Sequence, residues 1–187
     1  MEEEIEFYLD HAKETMGKTV THTSVELGKI RAGKATPGML DGLSVEYYGN
    51  PTPINQVSSV TTPDARTIAI KPWEKNMISE IEKAIINSDL GLNPQNDGEL
   101  IRLNIPPLTE ERRKSLVKQA KAEAENGKIS LRNVRKDTND SLKKLLKDGA
   151  PEDAIKDAED SVQSITDGHV KKIDEILAKK EEDIMTI

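Results

Sequence analysis

Apolar residues recur every three or four positions along three long segments of the chain, a spacing that gives an α-helix one apolar side. These segments cover residues 5–30, 116–145 and 155–184. Thr109 and the two glutamates that follow it are typical of a helix N-terminus, so the second helix is predicted to begin there. At 1.5 Å per residue, helices of these lengths measure roughly 45 to 60 Å, and three of them favour a near-parallel three-helix bundle.

The chain between the first and second long helices has a different pattern, with turn-forming residues and short apolar–polar alternations. The alternations and the β-branched residues predict strands at residues 43–49, 57–62, 66–71 and 99–105. Residues 74–88 return to the helical spacing and predict one amphipathic helix. The predicted fold class is therefore α+β: a long three-helix bundle with a small β/α/β domain inserted between its first and second helices.

The boundaries of this insertion define two predicted domains. The bundle is assigned residues 1–30 and 108–187, and the inserted domain is assigned residues 31–107, which include both linkers. A paired linker favours restricted swinging of one domain against the other, and rigid docking is the alternative that the sequence leaves open. The predicted hinge residues are Ala32, Gly33, Asn104, Ile105, Pro106 and Pro107.

Several classes of protein are excluded by composition. The chain has no cysteine, which excludes disulfides, thiol catalysis and cysteine-bound zinc, and fits a reducing compartment. The N-terminal sequence Met-Glu-Glu-Glu is the opposite of a cationic targeting peptide, and no apolar run approaches the ~20 residues that span a bilayer. We therefore expect a cytoplasmic protein with no membrane partner.

Charge is distributed unevenly along a chain whose formal net charge is −7. Residues 1–30 hold three Lys against seven acids, and residues 149–187 hold five Lys against eleven acids. Residues 109–148, by contrast, hold twelve Lys or Arg against seven acids. On a helical wheel, nine of these cations fall in one arc of roughly 120° beside the apolar stripe. These nine, here called the basic ribbon, are Lys114, Lys118, Lys121, Lys128, Arg132, Arg135, Lys136, Lys143 and Lys147.

The basic ribbon has two interpretations. It could be a solvated face whose cations pair with acids of the neighbouring helices. A ribbon of this length also suits a polyanion, because each cation that neutralises a phosphate releases a counterion. Arg132 and Arg135 lie one turn apart, so their planar guanidinium groups could clamp neighbouring phosphates. The lack of aromatic residues nearby favours folded RNA or a duplex over stacked single strands.

No catalytic residues, metal site or cofactor are predicted. His11, His22 and His169 are scattered along helices without metal-ligand spacing, and His169 lies in the apolar stripe of the third helix. A helical histidine satisfied by its surroundings is therefore the expected role. Trp73 is predicted to be a core residue of the inserted domain, with a partner-binding aromatic as the alternative.

Four long segments together resemble the bacterial ribosome recycling factor family over essentially the whole chain. They begin with "IRAGKATPGMLDG" (residue 30), "DARTIAIKPWEKN" (residue 64), "RNVRKDTND" (residue 132) and "DSVQSITDGHVKK" (residue 160). The resemblance implies an L-shaped, tRNA-like pair of domains joined by a hinge. It also implies a monomeric, non-enzymatic factor that binds the post-termination ribosome. With elongation factor G hydrolysing GTP, such a factor splits the ribosome into subunits and releases mRNA and tRNA. The alternative is a general helical RNA-binding adaptor or chaperone that is not specific to ribosomes.

The resemblance also implies which cations contact large-subunit rRNA. Besides cations of the basic ribbon, it indicates the linker arginine and the arginine pair that follows "LTEE". The predicted rRNA-binding residues are Arg132, Arg135, Arg31, Arg113, Arg112, Lys128, Lys121 and Lys136. Two positions depart from the family pattern, because Lys34 and Lys136 stand where arginine is common. Lysine keeps the charge but loses bidentate geometry.

Overall fold

The computed structural model describes residues 1–31 and 33–186, and these form two compact units. One unit contains residues 1–31 and 110–186, and the other contains residues 33–109. In chain order the helices are α1 (Glu2–Gly28), α2 (Ile78–Ile86), α3 (Glu110–Lys147) and α4 (Glu152–Met185). The strands are β1 (Ser44–Tyr47), β2 (Asn50–Pro53), β3 (Ser58–Asp64), β4 (Thr67–Pro72), β5 (Pro94–Asn96) and β6 (Ile101–Asn104).

Helices α1, α3 and α4 form the bundle unit, and each of them packs against the other two. Helices α1 and α3 are antiparallel: near one end Ile5 packs against the cluster that contains Leu145, and farther along Met16 packs with Leu131. The predicted stripe of α3 consists of Leu116, Ala120, Ala124, Gly127, Leu131, Val134, Thr138, Leu142 and Leu145. All of these residues are buried apart from Val134, which is half-buried. No helix in the described part of the chain is long and apolar enough to cross a membrane.

All three helices of the bundle come close together at Gly127 of α3. A Cβ at this position would meet Thr23 Oγ1 of α1 and would lie 3.0 Å from Ile173 Cδ1 of α4. Thr23 is itself buried, and its hydroxyl donates to the carbonyl of Thr19 at 2.9 Å. One turn of α4 before Ile173, the buried His169 has Nδ1 2.7 Å from the carbonyl oxygen of Ile165. The expected role of a satisfied helical histidine is therefore confirmed for His169.

The inserted unit is built on a four-stranded antiparallel sheet with strand order β3-β4-β6-β5. Alternation in β4 and β6 places Ile68 opposite Leu103 and Ile70 opposite Ile101, and all four side chains are fully buried. Helix α2 contributes Ile81 and other apolar residues to the same core, and β1 and β2 form a separate antiparallel ribbon. The predicted β/α/β insertion is present, with two additional short strands.

Two sequence predictions for the inserted unit are wrong. The helix predicted over residues 74–88 is shorter in the structure: α2 covers Ile78–Ile86, and Lys75–Met77 before it form a 3-10 turn. Trp73 is not a core residue: 67% of its surface is exposed. Pro72 takes the inward place at the end of β4, so the next residue faces outward, and the backbone N–H of Trp73 donates to the carbonyl of Val57 at 3.1 Å.

Candidate nucleic-acid interface

The basic ribbon follows one side of α3 from Lys114 to Lys147, a length of roughly 50 Å at 1.5 Å per residue. Seven of its nine side chains are exposed, and Lys128 and Arg135 are half-buried. The first turn of α3 is acidic and the last turn is basic, which complements the helix dipole at both ends. The ribbon is therefore a mainly cationic surface along one long helix, and the exposed Glu125 interrupts it.

Ion pairing neutralises only part of this surface. Lys128 pairs with Asp174 of α4, and Arg132 Nη1 lies 3.1 Å from Glu125 Oε1 on the same helix. Arg135 Nη1 donates to Gln163 Oε1 of α4 at 3.3 Å. Within residues 1–31 and 33–186, the remaining six lysines of the ribbon have no carboxylate within 4.0 Å. Salt bridges therefore pair two of the nine cations, Lys128 and Arg132, with carboxylates.

The three arginines that the family resemblance adds lie at one end of the bundle unit. Arg31 is exposed just after α1, while Arg112 and Arg113 are in the first turn of α3. Because α1 and α3 are antiparallel, the C-terminus of α1 and the N-terminus of α3 occupy the same end. Arg112 is exposed and Arg113 is half-buried, and the wheel positions of both lie outside the arc of the ribbon. The predicted cations therefore form a ribbon and a separate terminal group.

Both linkers of the inserted unit are anchored to the turn between β3 and β4. The N–H of Ala35 donates to the carbonyl of Ala65 at 2.8 Å, and the N–H of Ile105 donates to the carbonyl of Arg66 at 2.7 Å. The turn is itself fixed by Asp64, whose carboxylate accepts the N–H of Arg66 at 2.9 Å. This backbone hydrogen bond holds the pKa of Asp64 below its usual value.

The predicted hinge residues fall on both sides of these anchors. Asn104 is the last residue of β6, and Ile105 is buried in the core of the inserted unit. Pro106 and Pro107 are exposed and follow the anchor, whereas Ala32 lies outside the described residues.

Gly33 has a backbone conformation that side chains rarely adopt. Its φ is +74°, and an added Cβ would lie 2.7 Å from Leu108 Cγ and 3.0 Å from Leu108 Cδ1. The first linker thus passes close to the second linker at Gly33. Glycine is favoured at this position because of the positive φ and because a Cβ would have too little space.

Sequence reasoning missed a polar and aromatic group on the inserted unit. The phenol of Tyr47 donates to Glu74 Oε1 and the phenol of Tyr48 donates to Glu74 Oε2, each at 3.0 Å. The carboxylate raises the pKa of Tyr47, mainly through this hydrogen bond. The exposed Trp73 is the neighbour of Glu74. The tyrosines and Glu74 are 26 and 27 positions apart in sequence, so no local pattern could join them.

Metal-binding clusters are absent from residues 1–31 and 33–186, where no group of three or more His, Asp or Glu side chains could hold an ion.

Comparison with known proteins gives the family. The family model described as "Ribosome recycling factor" matches residues 23–185, which is most of the chain. The chain belongs to the ribosome recycling factor family. Among similar ribosome-recycling factors, that of Amoebophilus asiaticus is 60% identical over 185 residues, covering 99% of this chain and 100% of the relative. Those of Cytophaga hutchinsonii and Flavobacterium johnsoniae are 56% and 54% identical, covering 99% and 100% of this chain and all of each relative.

Two solved structures of ribosome recycling factors share the fold. A solution structure covers 98% of this chain and 98% of its own, with 34% identity and a TM-score of 0.76. The other gives models for the Thermus thermophilus ribosome recycling factor and the Escherichia coli elongation factor G bound to the E. coli post-termination complex. Its recycling factor is 43% identical and covers 97% of this chain and 98% of its own, with a TM-score of 0.62. The predicted family and α+β fold class are confirmed.

Proposed function

We propose that this chain binds the post-termination ribosome in the cytoplasm and splits it into subunits together with elongation factor G. The observation that carries the proposal is the match to ribosome recycling factors along the whole length of the chain. A related factor has been described with elongation factor G on a post-termination complex. In this function the chain is a binding factor and not an enzyme, and GTP hydrolysis by elongation factor G supplies the free energy. Subunit splitting then frees mRNA and tRNA.

The basic ribbon is our candidate for the surface that anchors the factor to large-subunit rRNA. Six of its lysines have no acidic partner within the described residues, so phosphates can neutralise them without first breaking a salt bridge. Arg132 has an exposed side chain and presents a planar donor set suited to phosphate oxygens. The acids of α1 and α4 disfavour contacts of other bundle faces with RNA, because like charges repel. Binding is therefore directed to one side of α3.

The two linkers are our candidate for the pivot of the inserted unit. The anchors at Ala35 and Ile105 tie both linkers to the same turn, so the rigid part of the unit extends to these residues. Outside these anchors, the backbone that can bend includes Gly33 and Lys34 in the first linker and residues 106–109 in the second. This proposal leaves out Asn104 and Ile105, since the first is in β6 and the second is in the core.

Ribosome splitting measured by light scattering tests the function. Post-termination ribosomes are mixed with elongation factor G from the same organism, GTP and either the wild-type chain or the Arg132→Ala/Arg135→Ala variant. We expect the wild type to split ribosomes and the variant to lose binding while keeping its helical circular dichroism. The matched control is Lys171→Ala/Lys172→Ala, which removes two exposed charges from α4 and should split normally.

Each result of this experiment has a clear meaning. A wild-type chain that leaves ribosomes intact would contradict the recycling function. In that case, binding that follows the amount of any long RNA, without saturating at one copy per ribosome, would support a general RNA-binding adaptor. Normal splitting by the arginine variant would instead show that the ribbon is only a solvated face.

A further inference from the structure

The inserted unit carries an exposed cluster of aromatic side chains around one carboxylate. Trp73 and Tyr48 are 67% and 73% exposed, unusual values for side chains of this size. The rings of Tyr47 and Tyr48 pack edge to face with centroids 4.6 Å apart, and their phenols hold both oxygens of Glu74. We call these four residues the aromatic–carboxylate cluster.

The cluster borders a pocket of about 240 Å³. Tyr47, Trp73 and Glu74 line it, together with the apolar side chains of Val57 and Met77, which are buried in the unit. The lining also includes the polar Thr52 and Gln56, so the pocket combines apolar, aromatic and polar side chains with one carboxylate. This is the combination that binds a cationic side chain, because π faces and a carboxylate both attract a cation.

Tyr48 has a strained backbone conformation, which costs free energy. Tyr48 has φ +49°, the one positive φ at a non-glycine residue within residues 1–31 and 33–186, and Gly49 follows it with φ +82°. Two successive positive φ values define a tight turn whose preferred sequence is Asn-Gly. A bulky aromatic residue such as Tyr48 is disfavoured at the first of these two positions. The hydrogen bond from Tyr48 to Glu74 opposes this strain. The phenols of Tyr47 and Tyr48 together thus hold the Glu74 carboxylate in place before any ligand arrives.

The charges around the cluster favour a cation over a phosphate. Glu74 has no ion-pair partner within the described residues, although Lys71 and Lys75 lie close to it in sequence. Residues 33–109 hold nine Asp or Glu against six Lys or Arg, so the unit as a whole attracts positive charge. A nucleic acid could stack a base on Trp73, but its phosphates would meet this negative surface.

We propose that the aromatic–carboxylate cluster binds an arginine or lysine side chain from a basic segment of a protein partner. An arginine suits it best, because its planar group can stack on Trp73 and donate to Glu74 at the same time. Exposed Trp and Tyr side chains are also the residues that most often dominate binding energy at protein interfaces. The proposal does not depend on recycling activity, since it concerns one pocket of the inserted unit.

The test uses Trp73, the single tryptophan of the chain, as an intrinsic fluorescent reporter. The full chain is titrated with a short Gly-Arg peptide and with the same peptide carrying citrulline, which has the shape of arginine without its charge. We expect saturable quenching by the arginine peptide and about tenfold weaker binding of the citrulline peptide. Glu74→Gln, which keeps a hydrogen-bond acceptor, should also weaken the arginine peptide about tenfold. The matched control is Glu46→Gln, an exposed carboxylate on the opposite face of the β1–β2 ribbon, which should bind as the wild type does.

Two results would overturn the proposal. The first is equal binding of the arginine peptide to wild type and Glu74→Gln when circular dichroism shows that both are folded. The second is tighter quenching by an oligouridine than by the arginine peptide, which would make the cluster a base-stacking site. The variant Trp73→Leu, followed by backbone amide chemical shifts, provides a second measurement: residues around the pocket should stop responding to the arginine peptide.

Discussion

Gly127 is the position where one added methyl group should change the bundle most. The two other helices approach it closely: a Cβ would meet Thr23 Oγ1 and would lie 3.0 Å from Ile173 Cδ1 and 3.1 Å from Thr23 Cγ2. The hydroxyl of Thr23 is bonded to the carbonyl of Thr19 at 2.9 Å, and the Ile173 side chain is fully buried. Neither neighbour can move without disturbing packing or a hydrogen bond.

The expected sign of Gly127→Ala follows from two opposing effects. Alanine is favoured over glycine in a helix interior by about 1 kcal/mol. Overpacking a close-packed core costs about 1–3 kcal/mol, and loss of the Thr23 hydrogen bond would add about 1 kcal/mol. We therefore expect Gly127→Ala to lower the free energy of unfolding of the bundle by about 1–3 kcal/mol.

Urea unfolding followed by circular dichroism at 222 nm measures this effect, and Gly168 provides the control. Gly168 lies in the interior of α4 with no atom near its would-be Cβ, so Gly168→Ala should stabilise by up to about 1 kcal/mol. The same substitution in two helices should thus have opposite signs. Thr23→Ala should relieve part of the cost of Gly127→Ala in a double-mutant cycle. A Gly127→Ala chain as stable as Gly168→Ala would refute the close approach.

Three further predictions concern the ribbon and the linkers. Arg132→Ala/Arg135→Ala should reduce the slope of log affinity for ribosomes against log salt by about 2 in magnitude, measured by binding across KCl concentrations at fixed Mg²⁺. Gly33→Ala should slow splitting while leaving ribosome affinity within about twofold, because a positive φ and contact with the second linker restrict the proposed pivot; a strained residue of this kind costs about 1–3 kcal/mol. Asp64→Ala should increase hydrogen exchange of the Ala35 amide several-fold at neutral pH. In the wild type the pKa of Asp64 is lowered. The Asp64 carboxylate therefore stabilises the turn fully at pH values above the usual pKa of an aspartate, and this stabilisation is lost only as pH falls through the lowered pKa.

Each of these predictions has a control and a contradicting result. An unchanged salt slope for the arginine variant, with the α4 lysine variant behaving the same way, would mean that the two arginines touch no phosphate. Gly38→Ala serves as the control for the first linker, because its Cβ would have no neighbour closer than 3.5 Å; equal splitting by both glycine variants would argue against the pivot. Asp89→Ala, a change at an exposed carboxylate of the same unit, should leave Ala35 exchange unchanged. If it accelerates exchange as much as Asp64→Ala, the anchor is not specific.

The bundle could be predicted from sequence because its structure depends on local periodicity. A helix repeats every 3.6 residues, so residues such as Leu116 and Leu131 mark one buried side without knowledge of their partners. Strands β2 and β5 could not be predicted in this way, since they are only four and three residues long and contain prolines that usually argue against strands. Trp73 was misassigned because apolarity alone does not reveal which side of a strand end a residue faces.

For the candidate site too, the sequence predicts which residues share one side of a helix but not their contacts with other helices. A helical wheel predicts that nine cations share one side of α3, but it does not show which of them other side chains hold. Lys128 and Arg135 contact α4 through residues more than 25 positions away, and only the packing of the bundle brings these partners together. The ribbon was predictable, and its internal division was not.

That division has a consequence for how the factor would meet RNA. The middle of the ribbon is fixed, because Lys128, Arg132 and Arg135 each contact a protein side chain that limits their rotamers. The lysines toward both ends have no such partner within the described residues, so they keep rotamer freedom in the unbound state and lose it when they bind. Fixed donors lose less entropy for each phosphate contact and are better suited to setting register, whereas mobile lysines supply attraction that is tolerant of position. The centre of α3 should therefore determine where the factor sits, and the lysines at the two ends should add attraction that tolerates small shifts in position.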